Sequence, residues 1–172
     1  MKGLRNKKGF TLIELLAVIV VLAIVMVLAT TTVLPYMGKA ANKAFATEAN
    51  GVIDAASQAI TLMSIGTIDE PTTGADYSKT ETTSGSVTTT KYCFSLKKLV
   101  ELGIWTKDLD SVNGTTPDYA GTVVATKTSS SNAYSYAVEM HNKDLYVKST
   151  AGTIDEEEVK DYSSTSLKTT CN

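Results

Sequence analysis

One carboxylate stands out among the side chains of this sequence that could carry chemistry. Glu14 lies in the apolar run from Phe10 to Leu34, where 20 of 25 residues are hydrophobic. A carboxylate within a membrane span is costly and usually marks a functional site, because it has lost water without gaining a partner. Its simpler interpretation is a residue at headgroup level, since it lies about one helical turn from Phe10. Glu14 is therefore the first candidate functional residue.

The other reactive residues are few and scattered. His141 is the only histidine and falls in a predicted turn, and Cys93 and Cys171 are the only cysteines. A dyad of Cys93 and His141 would need a third, orienting group, and the sequence identifies none. The acidic run Asp155–Glu158 lacks the spaced oxygen ligands of a calcium loop. With no nucleotide-binding or hydrolase motif either, we expect no enzyme, no cofactor and no metal site.

Charge divides the chain into two parts. The first nine residues carry Lys2, Arg5, Lys7 and Lys8, whereas the rest holds 12 basic and 18 acidic residues, so the net charge of −2 hides a body near −6. A basic start followed by an acidic body argues against nucleic-acid binding by bulk charge. It favours an N-terminus kept in the cytoplasm and a body placed outside.

The apolar run is long enough to cross a membrane. Leu15–Leu34 is 20 residues, about 30 Å as a helix, which matches the hydrocarbon thickness. A secretory signal peptide would have a shorter apolar stretch and a small-residue cleavage site, and neither is present. The sequence therefore predicts a single-pass anchor with its N-terminus inside.

Helical periodicity continues beyond the span. Seven apolar residues recur at steps of three and four and form one predicted helix face: Phe45, Ala49, Val52, Ile53, Ala56, Ile60 and Met63. The pattern predicts one helix from Phe10 to Met63. Its half at 10–35 is apolar all round, and its half at 36–64 is amphipathic and must pack against a sheet. Pro35 predicts a kink, because it lacks the amide that would bond the carbonyl of Thr31. Gly51 marks a second weak point, where a break in the helix is the alternative.

The remainder, 65–172, is predicted to be a globular head. Its segment 65–92 is rich in Ser and Thr and is expected to be a long connecting loop, with at most one short strand at Ser86–Lys91. A short amphipathic helix over Phe94–Gly103 should follow, with Ser95 as its N-cap and Gly103 just past its C-terminal end. Trp105 comes next and is expected to be a core residue. Three strands are then predicted as an antiparallel meander, before a polar tail from Thr150: Ala120–Thr126, Ala133–Met140 and Leu145–Lys148. The predicted fold class is α+β, a long helix packed on a small antiparallel sheet.

The N-terminal residues resemble a known family. Lys8-Gly9-Phe10-Thr11-Leu12-Ile13-Glu14-Leu15 is similar to the class III signal of type IV prepilins and pseudopilins. The resemblance implies a pilin fold, cleavage between Gly9 and Phe10 by a prepilin peptidase, and N-methylation of Phe10. It also implies a chain held in the cytoplasmic membrane and then assembled, with minor pilins and the pilus machinery, into an extracellular homopolymer.

In such a fibre Glu14 gains a specific role. After cleavage, Phe10 carries an ammonium, and both charges would lie among packed apolar helices. Pairing them between neighbouring subunits reduces the cost of burial and fixes the axial register. Pro35 departs from the family, which commonly has a proline nearer the cleavage site, so the position of a kink is open.

Two cysteines in an exported head favour a disulfide between Cys93 and Cys171. Many pilins staple their C-terminal region in this way, so the resemblance supports the pairing. Free thiols in a reducing or anaerobic niche are the alternative.

The resemblance implies a structural subunit, a major pilin, with adhesion, motility or biofilm formation as its outputs. The Thr-rich head resembles pilins of Gram-positive anaerobes. One alternative is a pseudopilin of a type II secretion or competence system. Another is a single-span, membrane-anchored binding module, which would leave the bond between Gly9 and Phe10 uncut.

Overall fold

The fold comes from a computed structural model, which describes residues 10–72, 74–107, 109, 119–150, 152–162 and 168–171. The chain forms two compact units, an N-terminal unit of residues 1–40 and a C-terminal unit of residues 41–172. The elements follow one another as α1 (Leu12–Ser64), β1 (Tyr77–Ser84), β2 (Val87–Ser95), α2 (Leu96–Glu101), β3 (Ala120–Thr128), β4 (Ser135–His141), β5 (Leu145–Ser149), a 3-10 turn (Glu156–Glu158) and β6 (Lys160–Asp161).

Helix α1 is continuous through both weak points of its sequence. Pro35 lies inside the helix, and the helical segment also includes Gly51, so the alternative of a break there is wrong. A kink at Pro35 stays a prediction. The hydroxyls of Thr30, Thr31 and Thr32 donate to carbonyls one turn earlier, at 2.7–3.2 Å. These three polar side chains therefore find acceptors within the helix itself, which suits an apolar environment.

The amphipathic half of α1 packs as its periodicity predicts. All seven residues of the predicted apolar face are buried, which confirms that face: Phe45, Ala49, Val52, Ile53, Ala56, Ile60 and Met63. They join one core cluster with sheet residues such as Phe94, Val123 and Val138, and with Trp105, the predicted core residue. The opposite side, which includes Asp54 and Ser57, is exposed.

Within the described residues the sheet has six antiparallel strands, in the order β1-β2-β3-β4-β5-β6. This confirms the α+β class expected of a pilin and the three predicted strands, which form β3, β4 and β5. The short strand expected at Ser86–Lys91 is confirmed as the first part of β2. Strand β1 and the two-residue β6 were not predicted.

The predicted connecting loop at 65–92 is wrong over most of its length. Strands β1 and β2 form a regular hairpin there, in which Thr82 faces Thr89 and Thr83 faces Thr88. Serine and threonine occupy most positions on both faces of this hairpin. The alternation of apolar and polar residues that usually marks a strand is therefore missing. Gly85, with a φ of 61°, begins the two-residue turn that joins them.

Both predicted ends of the short helix α2 are confirmed, although α2 itself is shorter than the segment Phe94–Gly103. The hydroxyl of Ser95 accepts a hydrogen bond from the amide of Lys98 at 3.1 Å. At the other end Gly103 adopts a φ of 69°, and the amides of Gly103 and Ile104 donate to carbonyls of the last turn. This is the Schellman arrangement that a glycine at this position favours.

Candidate functional site

The predicted processing site lies at the boundary of the described residues. Gly9 falls outside them. Phe10 is the first residue that the structure describes; it is 89% exposed and precedes α1 by two residues. Glu14 lies in the first turn of α1, four residues after Phe10 in the sequence.

The carboxylate of Glu14 has a partner within its own chain. Its Oε2 accepts hydrogen bonds from the amide and the hydroxyl of Thr11, both at 2.8 Å. The amide of Glu14 in turn donates to the hydroxyl oxygen of Thr11 at 3.3 Å. This reciprocal arrangement is a capping box, which satisfies two amides at the start of a helix. The Thr-x-x-Glu spacing was the signal for it, and the sequence-based interpretation overlooked Thr11.

The carboxylate of Glu14 can accept more hydrogen bonds than the capping box uses. An ionised carboxylate offers about four lone-pair sites, and the two bonds from Thr11 share a single oxygen. The box orients the side chain toward the start of the helix, where the amino group of a processed chain would lie. Glu14 therefore caps its own helix end and keeps lone-pair sites for a further donor.

The N-terminal unit exposes a continuous apolar surface. The large apolar side chains from Leu12 to Leu28 are all at least 49% exposed. Helix α1 is long and apolar enough to cross a membrane, and no part of its most apolar window is buried. A surface of this kind is not stable in water and calls for lipid or another protein as a cover.

Comparison with protein families explains this combination. Residues 4–30 match the family described as the prokaryotic N-terminal methylation motif. The chain carries a class III prepilin signal. This match supports a type IV pilin-like or pseudopilin-like protein and points to a structural protein instead of an enzyme. Comparison with curated proteins and with solved structures finds no match.

The matched segment explains part of the chain only. It includes Gly9, Phe10 and Glu14, and with the apolar helix it fits membrane anchoring before assembly into pili. It also implies processing by a prepilin peptidase. The C-terminal unit lies outside the matched segment, so its features rest on the structure.

Cys93 lies in β2 between Tyr92 and Phe94, whose side chains are buried in the core with α1, so alternation places it on the other face of the sheet. Cys93 in β2 is joined to Cys171 by a disulfide, with the two Cα atoms 5.6 Å apart. The amide of Cys171 donates to the carbonyl of Ala75 at 2.5 Å, and the amide of Lys168 donates to Glu139 Oε1 at 2.9 Å. The C-terminal segment 168–171 thus crosses the sheet from β4 to the start of β1. A dyad of Cys93 and His141 is not what the structure forms.

The remaining candidates lie apart from the cysteines. The ring of His141 stacks on that of Tyr162, with centroids 4.4 Å apart. The run Asp155–Glu158 forms a cap and a 3-10 turn, in which Glu158 is half-buried and the other three residues are exposed. Within the part of the chain that the structure describes, no group of three or more potential ligand side chains could hold a metal ion.

Asn50 holds a distant segment of the chain against α1, a role that the sequence analysis did not predict. Its side-chain amide donates to the carbonyl of Ile154 at 2.8 Å, and its oxygen accepts from the amide of Ile154 at 2.9 Å. The pair attaches the segment after β5 to α1. The pair Asn50-Gly51 suggested a weak point in the helix. In the structure the side chain of Asn50 instead binds the backbone of Ile154.

A polar cluster attaches the segment after α1 to the sheet. Lys79 pairs with Glu70 at 2.9 Å and with Glu81 at 3.1 Å, and these bonds raise its pKa. Tyr77 contacts Met63 and donates to the carbonyl of Asp69 at 3.1 Å. Burial, helped by nearby negative charge, raises the pKa of Tyr77 to about 12.

Proposed function

We propose that this chain is the major structural subunit of a type IV pilus, polymerising through α1 into a surface filament for adhesion, motility or biofilm formation. The observation that carries the proposal is the exposed apolar surface of the N-terminal unit, which has a single carboxylate in its first turn. Before assembly the lipid bilayer covers this surface, and in the filament neighbouring copies of α1 do.

Processing supplies the charge that Glu14 would meet. Cleavage after Gly9 by a prepilin peptidase and methylation of Phe10 leave an ammonium, with a reference pKa of about 8, two residues before α1. Among apolar helices an ammonium and a carboxylate are each costly alone. Pairing Phe10 of one subunit with Glu14 of the next therefore favours one axial stagger, because any other leaves two charges unpaired.

The capping box makes this pairing efficient. Thr11 already orients the carboxylate, so little side-chain freedom is lost when the ammonium of a neighbour arrives. Minor pilins and the assembly machinery would engage the same signal and helix. A pseudopilin would use them too, and long surface fibres would distinguish a pilin from it.

Three variants separate the charge from the cap. Glu14→Gln keeps an oxygen that can accept from Thr11 but has no charge, Glu14→Ala loses both, and Thr11→Ala keeps the charge and loses the capping hydroxyl. We expect all three to be processed normally, which mass spectrometry of the N-terminal peptide checks. Counting immunogold-labelled surface fibres should show few for both Glu14 variants and near-normal numbers for Thr11→Ala.

The pairing role is wrong if Glu14→Gln gives as many fibres as the wild type. If Thr11→Ala is as defective as Glu14→Ala, the cap and not the charge is what assembly requires.

A further inference from the structure

Strand β1 lies at one end of the six-stranded order, so it is an edge strand of the described sheet. It pairs with β2 over eight consecutive residues without a bulge, from Tyr77 to Ser84. Residues 80–84 are exposed, whereas Tyr77 and Lys79 are half-buried and the side chain of Ser78 is buried; the strand contains no proline. A regular, accessible edge presents amides and carbonyls that another strand can bond.

Proteins commonly protect such an edge with charges of one sign, above all lysine, which repel a second copy. Strand β1 carries Lys79 and Glu81, which are opposite in sign and two residues apart, so they lie on the same face. Their side chains contact each other at 3.1 Å within one chain. Because the two charges are of opposite sign, they do not exclude an identical strand.

The order of these charges favours one register of self-pairing. When two copies of β1 lie antiparallel with Thr80 opposite Thr80, Lys79 of each copy lies opposite Glu81 of the other. In the same register Ser78 lies opposite Thr82, so the next pair joins two hydroxyl residues. Opposite charges directly across a strand pair stabilise it, and like charges would destabilise it.

We propose that β1 is the surface through which the C-terminal units of two copies of this chain pair, about a two-fold axis at Thr80. The partner is a second copy, and the sheet continues across the axis. The contact is isologous, since the same residues serve on both sides. This pairing does not depend on the filament, because it needs only two chains whose β1 edges meet.

A contact of one strand with another is small, so it is weak between free molecules. Chains held together in a membrane have a high effective concentration, which converts a weak contact into a populated one. The test therefore uses the full chain in the membranes of the cells that produce it.

Cysteine substitution reports the register directly. In Thr80→Cys the two-fold axis places the Cα atoms of residue 80 about 4.5–5.5 Å apart, within reach of a disulfide. In the matched control Thr82→Cys, on the same face of the same strand, the two positions are about 14 Å apart, four residues along the pair. After mild oxidation, non-reducing electrophoresis should show a dimer for Thr80→Cys and almost none for Thr82→Cys. Mass spectrometry should identify the peptide that joins two copies of residue 80.

Charge variants in the Thr80→Cys background test the partner contacts. Glu81→Lys places lysine opposite lysine and should reduce the dimer several-fold. Adding Lys79→Glu to it exchanges the two charges and should restore the dimer. Fluorescence of Trp105 checks that each variant remains folded. Equal crosslinking at positions 80 and 82, no crosslinking at 80, or no recovery in the double charge exchange would overturn the proposal.

Discussion

Residues 12–33 of α1 expose their apolar side chains, whereas between Phe45 and Met63 the same helix buries ten of them. The first stretch has no sheet to pack against within its own compact unit, and the second has a core of strands beneath it. A long helix can thus hold two kinds of apolar surface, one for other molecules and one for its own chain. Mutations in the two stretches should accordingly be detected by different measurements.

The largest difference is expected for large apolar residues in the two units. Phe94→Ala removes a fully buried ring and should destabilise the C-terminal unit by about 3–5 kcal/mol. Leu16→Ala, at a side chain 53% exposed, should leave that unit unchanged and weaken retention in membranes or fibres. Denaturant titration followed by Trp105, the only tryptophan, measures the first effect, and fractionation measures the second. A shift of the Trp105 transition in Leu16→Ala would show that the two stretches are not independent.

Loss of the C-terminal bond should have the next largest effect. The disulfide closes a loop with a sequence separation of 78 residues, and removing such a bond costs about 2–4 kcal/mol, largely through the unfolded chain. We expect the double variant Cys93→Ala, Cys171→Ala to lower the free energy of unfolding, followed by Trp105 fluorescence, by that amount. Carboxypeptidase should also digest the segment 168–171 faster in this variant. Non-reducing mass spectrometry of the wild type checks that the bond forms in the exported protein. An unchanged transition in the double variant would mean that the tail contributes no stability.

Alkaline pH should destabilise the C-terminal unit. The pKa of Tyr77 rises from 10.0 unfolded to about 12 folded, mainly through burial, and the pKa of Lys79 rises through its bonds to Glu70 and Glu81. Since the folded state holds these protons more tightly, its stability is complete below about pH 10 and is lost as pH rises through 10–12. For Tyr77 the loss is on the order of 1–2 kcal/mol, after allowance for its partial exposure.

Tyr77→Phe tests that assignment, because it removes the ionisable group and keeps the ring against Phe94. The denaturation midpoint of this variant should fall less steeply between pH 10 and 12 than that of the wild type. An identical slope would assign the alkaline loss to other groups.

A glycine pair should give the smallest effect. A Cβ at Gly51 would meet Trp105 Nε1 at 3.9 Å, an ordinary contact, and a Cβ at Gly38 would meet nothing within 4 Å. Both lie inside α1, so alanine favours the helix by about 0.5–1 kcal/mol at either position. Only Gly51→Ala should raise the denaturation midpoint that Trp105 fluorescence reports, because Gly38 belongs to the N-terminal unit. A loss of stability in Gly51→Ala would mean that Trp105 cannot accept the methyl group.

Sequence patterns predicted the features that depend on apolar periodicity. The buried face of α1, strands β3 to β5 and the caps of α2 follow from spacing and from residues with strong local preferences, such as Ser95 and Gly103. The hairpin of β1 and β2 was not predicted, because its threonine-rich composition is typical of a loop. Its strands are stabilised by partners distant in the sequence, such as Thr128 opposite Thr89.

Sequence alone predicted only part of the candidate site. Glu14 was recognised from its apolar surroundings, but its bonds to Thr11 needed the helix start to be known within one residue. The bond between Asn50 and Ile154 joins positions 104 residues apart, and no local pattern identifies such a partner. The disulfide between Cys93 and Cys171 is the long-range contact that the sequence did suggest, because an exported head has only these two cysteines.

The most direct test of the proposed filament is mass spectrometry of the subunit recovered from surface fibres that antibodies to the C-terminal unit label with gold. The proposal predicts long labelled fibres, absent when the gene is deleted, in which the first residue of the subunit is N-methylated Phe10. Label confined to the cell membrane, on a chain that still carries residues 1–9, would contradict it.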